Sequence, residues 1–211
     1  MNGSPRNLGR PRLQEQAIPT KTKILRTASS LFVKQGYKNV SMDELALTCN
    51  ITKATVYYYY KTKSALFTAA IVQIMSIVRN NSVAILSTDE PFEERLHKLV
   101  TVFSMATVDV DVNNFIKEAT PSLTEEELLT IQRSEEEMHH AIENCFKREV
   151  ELGVLPNKNV KFMTHVFLTL LNMSKYRDAN GDGFFPTPEE TTREIIHFFW
   201  EGISSDKSVQ L

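Results

Sequence analysis

The run Ile51-Thr52-Lys53-Ala54-Thr55-Val56-Tyr57-Tyr58-Tyr59-Tyr60-Lys61-Thr62-Lys63 crowds hydroxyls, aromatic rings and ammonium groups into one short segment. On a helix, Ile51, Val56 and Tyr60 fall to one side, and Thr52, Lys53, Thr55, Tyr57 and Tyr58 to the other. Lysine can donate to guanine edges or to phosphate, threonine can meet a base edge or a thymine methyl, and tyrosine hydroxyls can reach phosphate oxygens. Lys61 and Lys63 stand where the next helix starts, and the free amides and positive dipole there attract an anion. This is the chemistry of a nucleic-acid surface. Core packing is the other use for tyrosines. It suits Tyr60, while the neighbouring lysines place Tyr57 and Tyr58 on the wet side.

No comparable set of groups suggests catalysis, and no enzymatic activity is expected. A Gly-rich phosphate loop, a nucleophile elbow and a Cys/His cluster are all missing. Glu135/His139 and Glu136/His140 have the i, i+4 spacing of a metal pair, but a charged run on a long helix is ordinarily a solvated face, so no metal is expected there. Asp178-Ala179-Asn180-Gly181-Asp182-Gly183, continued to Glu189, satisfies the calcium-loop pattern, with Asp178, Asn180, Asp182, the Phe184 carbonyl and Glu189 as ligands. Pro186, Pro188 and a bulky Phe185 argue against it, and Asn, Gly and Asp make turns without any ion. The turn reading is preferred and no cofactor is expected. Cys49 and Cys145 lie far apart in the sequence and fit a reducing compartment, here taken as the cytoplasm.

The elements that must position these groups are helices. Only 7 of 211 residues are Gly, and apolar residues recur at spacings of three and four. About nine helices are expected. The first covers about 20–35, with Ile24, Ala28, Leu31 and Phe32 on one face and Gly36 as its terminator. Ser41 and Glu44 form the capping box of a second that ends near Thr48, and Thr52 caps a third over about 53–60. Asn50 tolerates the left-handed conformation of the intervening turn. A long fourth helix runs from Thr62 or Ser64 to about Leu86. Others follow at about 92–107, 113–119, 124–153 and 159–176. Thr187 and Pro188 announce the last, to about Ser204. The longest uncharged runs, 64–78 and 162–174, fall short of the roughly 20 apolar residues of a bilayer span, so no membrane helix is expected.

Charge divides the chain in the same place. The formal charge of −2 conceals eleven Lys and Arg against three acids within residues 1–66, and thirteen against twenty-three beyond them. A basic head and an acidic body imply different partners. The expected organisation is a flexible basic arm (1–19), a helix-turn-helix domain (20–66) and a helical effector-binding and dimerisation domain (67–211).

The head resembles the DNA-binding domain of the TetR family of bacterial transcriptional regulators. The resemblance rests on Ala28-Ser29-Ser30-Leu31-Phe32, Gly36-Tyr37, Val40-Ser41-Met42-Asp43-Glu44-Leu45-Ala46 and the run from Thr52 to Lys63. Family members often have Gly where Asn50 and Ala54 stand and Phe where Tyr60 stands. The resemblance implies an all-α protein with an N-terminal three-helix helix-turn-helix domain and a larger C-terminal helical domain. It implies a repressor that binds a palindromic double-stranded operator as a dimer and is released by a small-molecule effector. It implies Ser41, Thr52, Lys53, Thr55, Tyr57, Tyr58, Lys61 and Lys63 as the DNA contacts. In the arm, Gly9-Arg10-Pro11-Arg12 resembles an AT-hook core, in which Arg10 and Arg12 would enter a minor groove.

In the body, Phe103, Met105, Phe115, Phe162, Met163, His165 and Phe167 are surplus apolar material with one histidine. Each can be a core residue. In the resembled family the middle helices enclose an effector cavity, and Met with aromatic rings suits a hydrophobic or aromatic ligand. Phe162, Val166, Leu170 and Leu171 on the eighth helix and Ile195, Ile196, Phe199, Trp200 and Ile203 on the ninth exceed what one chain should bury, so a homodimer through these helices is expected. By the same resemblance the fourth helix is the lever, and the segment around Phe115 to Glu118 the relay, of the effector signal. The alternative is a helical ligand- or calcium-responsive protein whose basic head docks an acidic protein instead of DNA.

Overall fold

The computed structural model describes residues 18–105 and 112–204, the side chains of 105 and 112–115 apart. Arg10 and Arg12, and the side chains of Met105 and Phe115, therefore lie outside the described residues. The described residues form nine α-helices and no strand. They are α1 (Thr20–Asn39), α2 (Met42–Thr48), α3 (Lys53–Tyr59), α4 (Lys63–Leu86), α5 (Phe92–Met105), α6 (Val112–Ala119), α7 (Glu125–Glu151), α8 (Val160–Met173) and α9 (Pro188–Ser204), with a 3-10 turn at Thr120–Ser122 before α7.

The ends of these helices follow from local chemistry. α1 is broken at Gly36, whose φ of 79° and ψ of 167° carry the chain out of the helix before a last irregular turn. Thr52, Thr62, Thr124 and Asn159 cap α3, α4, α7 and α8, each accepting from an amide three residues on. At Thr124 the box is complete, because Glu127 Oε2 accepts from the Thr124 amide at 2.9 Å. At Ser41 only half of the expected box forms. Ser41 Oγ accepts from the Glu44 amide, while the Glu44 carboxylate accepts from Gln35 Nε2 at 2.8 Å and so ties α2 to α1. α8 ends about a turn earlier than expected. Its last amides, on Ser174, Lys175 and Tyr176, donate to carbonyls three residues back, which tightens the chain out of α-helix.

Two apolar cores share α4 and α7. The first joins Ile24, Ala28, Phe32, Tyr37, Leu45, Val56, Tyr60, Leu66 and Phe67 to Ala119 and Ile131. Phe32, Tyr37 and Phe67 meet edge to face or stacked, with centroids 5.0–6.1 Å apart. The second gathers Leu86, Phe92, Leu96, Phe146, Phe167, Ile196 and Phe199. Met138 on α7 touches both. Each fully buried Phe contributes about 1.5–3 kcal/mol, so the head cannot part from α6 and α7 without exposing a continuous apolar surface.

α4 corrects one expectation. Across its 24 residues it is long and apolar enough, by length and composition, to cross a bilayer, because the apolar run resumes beyond the single Arg79. Of that apolar stretch 28% is buried within the chain. Leu66, Phe67, Ala70, Ile71, Met75 and Leu86 are buried, and it contacts α1, α5 and α7.

A buried ion pair braces the body. Arg95 on α5 engages the Glu149 carboxylate on α7 with both terminal nitrogens at 3.0 Å and donates to the Leu86 carbonyl at the end of α4. Such a pair persists because removing either partner strands a buried charge. Arg and Glu are common surface residues, so neither type nor spacing marked them.

Candidate nucleic-acid interface

The turn between α2 and α3 is built from a left-handed residue and two backbone bonds. Asn50 has φ 49°, its amide donates to the Leu47 carbonyl, and the Ile51 amide reaches back to Ala46. This closes α2 as a Schellman motif and redirects the chain into Thr52. Thr52 Oγ1 accepts from the Thr55 amide at 3.1 Å and lies 2.8 Å from Thr55 Oγ1, so one hydroxyl starts α3 while bonded to a second.

α3 is anchored by Val56 and Tyr60, both buried, with Ile51 and Tyr59 packed beside them. Its other side is open: Thr52, Lys53 and Tyr57 are exposed, and Tyr58 is 73% exposed. Tyr58 meets Tyr59 edge to face at 5.1 Å, and Lys61 Nζ stands 6.0 Å from the Tyr58 centroid. The tyrosine ring is thereby held between a half-buried neighbour and a cation. Ser41 lies exposed at the start of α2, with its hydroxyl used as a cap.

The ammonium groups of two of the eight residues lie within hydrogen-bond distance of oxygens of their own chain. Lys53 Nζ lies 2.7 Å from Asp43 Oδ2, and both side chains are more than half exposed. The hydrogen bond and charge of Asp43 raise the Lys53 pKa. Lys63 Nζ sits 4.5 Å over the Tyr37 ring and donates to the Lys38 carbonyl at 3.2 Å. Burial pushes its ammonium pKa down, opposed by the Glu118 carboxylate. Of the other six, Ser41, Thr52, Tyr57, Tyr58 and Lys61 are exposed and Thr55 is half-buried, while Lys63 is folded toward the base of the head against Tyr37 and Lys38.

That base is the junction with the body. Glu118 Oε1 on α6 accepts from the Lys38 amide at 3.3 Å, and a Cβ on Gly36 would stand 2.9 Å from Glu118 Oε2. Ser64 at the first turn of α4 donates to Glu127 Oε1 at 3.0 Å, the carboxylate that also caps α7. Gly36 is thus needed for its positive φ, while the Glu118 carboxylate, at the end of a flexible side chain, would only have to shift aside for a Cβ.

Among the described residues, the five expected at an effector site do not gather on one face. Met163 and Phe167 are core, Phe162 is 67% exposed, and His165 is exposed. Phe103 is half-buried under Lys175, whose Nζ stands 4.2 Å from its centroid. Apolar residues at helical spacing on α8 point all round the helix, so their type alone could not say which face a cavity would use.

Five of the nine expected dimer residues are used inside the chain. Leu171, Ile195, Ile196, Phe199 and Ile203 are buried within the chain, because α9 packs on α5 and α8. The outward apolar residues are Phe198, at 68% exposure, with Phe162 and Met173. An open groove of about 610 Å³ runs there among Leu170, Met173, Phe184, Phe185, Ile195 and Phe198, with Glu194 and Glu201 at its margin.

In the Asp178 loop the carboxylate serves the backbone. Asp178 Oδ1 accepts from the amides of Asn180 and Asp182 at 2.8 and 2.9 Å, which hold its pKa below the usual range. Gly181 takes φ 86°, and Tyr176 stacks on Phe184 at 4.1 Å. Among the described residues no three His, Cys, Asp or Glu side chains gather as a metal site.

Residues 24–70 match the family model described as bacterial regulatory proteins, tetR family. Over 61 residues the chain is 36% identical to the HTH-type transcriptional regulator UidR of Escherichia coli K12, covering 29% of this chain and 31% of that one. It thus spans about a third of the length of the curated relatives it matches first. Similar folds include reduced NemR of E. coli (TM-score 0.71, 14% identity, 87% of this chain and 96% of that one). AibR, solved with isovaleryl coenzyme A and operator DNA, is another (TM-score 0.61, 20% identity, 85% and 97%).

Proposed function

This chain belongs to the tetR family of bacterial regulatory proteins, and from that membership we propose a DNA-binding transcriptional repressor. It would bind a palindromic operator in the cytoplasm as a homodimer and leave it when a small molecule binds the body. The observation that carries the reading is the open side of α3, where Thr52, Thr55, Tyr57 and Tyr58 surround an anchored helix of the proportions that enter a major groove. Ser41, Lys53 and Lys61 flank it, and Lys63 would reach phosphate only after leaving Tyr37.

A dimer through the outward face of α8 and α9 would set two such helices about one duplex turn apart, roughly 34–36 Å. Phe198, Phe162 and Met173 supply its apolar centre. The effector would act near Phe103, where α5 leads toward α6, and α6 would pass the change on through Glu118 to the end of α1. AibR, seen with both a coenzyme A ester and operator DNA, is a protein of this fold with those two kinds of ligand.

DNase footprinting on the DNA flanking the protein's own gene tests the reading. Protection of a palindrome with two half-sites one helical turn apart is expected, and its loss in Tyr58→Ala with Lys61→Ala. No protected palindrome, or protection indifferent to both substitutions, would refute it.

A further inference from the structure

Lys53, the first residue of α3, and Asp43, in the first turn of α2, place their charged atoms 2.7 Å apart across the helix-turn-helix. Both side chains are more than half exposed, so the pair contributes little to stability. It leaves ammonium hydrogens and carboxylate lone pairs open to a ligand. Tyr57, one turn further along α3, is near enough to act on the Lys53 charge, so the pair lies beside the exposed tyrosines of the head. What such a pair can bind follows from its polarity. A phosphate offers only acceptors, so it would meet Lys53 but repel Asp43. The major-groove edge of a base pair offers an acceptor beside a donor. Guanine O6 and cytosine N4 are such a couple, hydrogen-bonded to each other about 2.9 Å apart.

We infer that Lys53 and Asp43 together read one G·C base pair in each half-site, Lys53 donating to guanine O6 and N7 and Asp43 accepting from cytosine N4. The inference rests on the reading of the head as a DNA-binding surface. The groups close a cycle of hydrogen bonds. Lys53 Nζ donates to Asp43 Oδ2 and to O6, while N4 donates to O6 through its pairing hydrogen and to the carboxylate through its other one. Every donor then meets an acceptor, and the 2.7 Å of the ion pair matches the separation across the base pair. Reversal to C·G sets Lys53 against a donor and Asp43 against two acceptors, so orientation is read as well. T·A keeps an acceptor (O4) and a donor (N6) in the same places but lacks N7 beneath Lys53, and so ranks between the two. Asp43, an acid that its type alone would exclude from a DNA surface, becomes a specificity-determining residue.

The test incubates the full-length protein, at one fixed salt concentration, with a library of duplexes carrying a randomised core, and sequences the bound fraction. The wild type should enrich a palindromic motif with a G·C column in each half, favoured over C·G there by about tenfold or more. Asp43→Asn frees Lys53 for phosphate, so affinity for every duplex should rise while that column alone flattens. Exchanging the charges, Asp43→Lys with Lys53→Asp, should turn the column to C·G, an inversion that no loss of stability can produce. A motif in which neither variant alters a column, or one lost uniformly in the near-isosteric Asp43→Asn, would overturn the inference and leave the repressor reading standing. A wild type that enriches no motif would overturn both.

Discussion

The 2.7 Å pair of Lys53 and Asp43 sets the strongest constraint at the scale of single residues. Both are exposed, so the pair itself stabilises little, yet it keeps an ammonium from phosphate and presents a carboxylate to a polyanion. Asp43→Asn should tighten binding to DNA of any sequence and steepen the logarithmic salt dependence by about 0.9, one further phosphate neutralised. An unchanged slope in a salt-titrated anisotropy series would show that Lys53 already contacts the backbone. His139 gives a pH prediction. Its folded pKa is lowered, chiefly by burial and against the charge of Glu135, with His165 and His140 adding to the lowering. The folded state thus holds this proton more weakly than the unfolded chain does. The stability it contributes is complete above the ordinary value near 6.5 and is lost as pH falls through the lowered one. The melting temperature should fall more steeply below about pH 6.5 in the wild type than in His139→Gln. Parallel curves would contradict this.

Among the elements, the break within α1 is where backbone conformation dictates the residue. Gly36 has a positive φ and sits under the Glu118 carboxylate. Gly36→Ala should destabilise the chain by about 1 kcal/mol or more, and chemical denaturation measures it. Glu118→Ala should recover only the part due to crowding, leaving the backbone strain. Full recovery would mean that φ costs nothing there. The helices themselves were legible from sequence, because Gly36, Ser41, Thr52, Thr124 and Thr187 mark ends through local hydrogen bonds that need no tertiary partner. The outward residues of α3 were legible for a related reason: Val56 and Tyr60 fix the phase of a helix too short to drift. What escaped were relations between elements. Asp43 with Lys53, Glu118 with Gly36, Arg95 with Glu149 and His139 with His165 join groups 10 to 82 residues apart, and periodicity within one helix carries no information about them. The face of α9 escaped similarly. Its inner side, Ile195 and Phe199, is used by the chain's own core, which leaves Phe198 outward.

For the whole molecule, shared packing makes a switch physically reasonable, since α4 and α7 belong to both cores and no linker separates head from body. Phe198→Glu places a charge at the centre of the proposed dimer face without touching the intramolecular core. It should convert a dimer into a folded monomer by sedimentation, with helicity unchanged, whereas a variant still dimeric would move the interface elsewhere. The basic head and acidic body then have complementary parts, one attracting phosphate and the other keeping the remaining surface off it. The claim on which all of this rests is that the head reads DNA sequence. Fluorescence anisotropy at one fixed salt concentration, comparing the footprinted operator with a scrambled duplex of equal length, measures it directly. The account predicts at least about a thousandfold preference for the operator, falling sharply in Tyr58→Ala. Equal affinity for the two duplexes would contradict it.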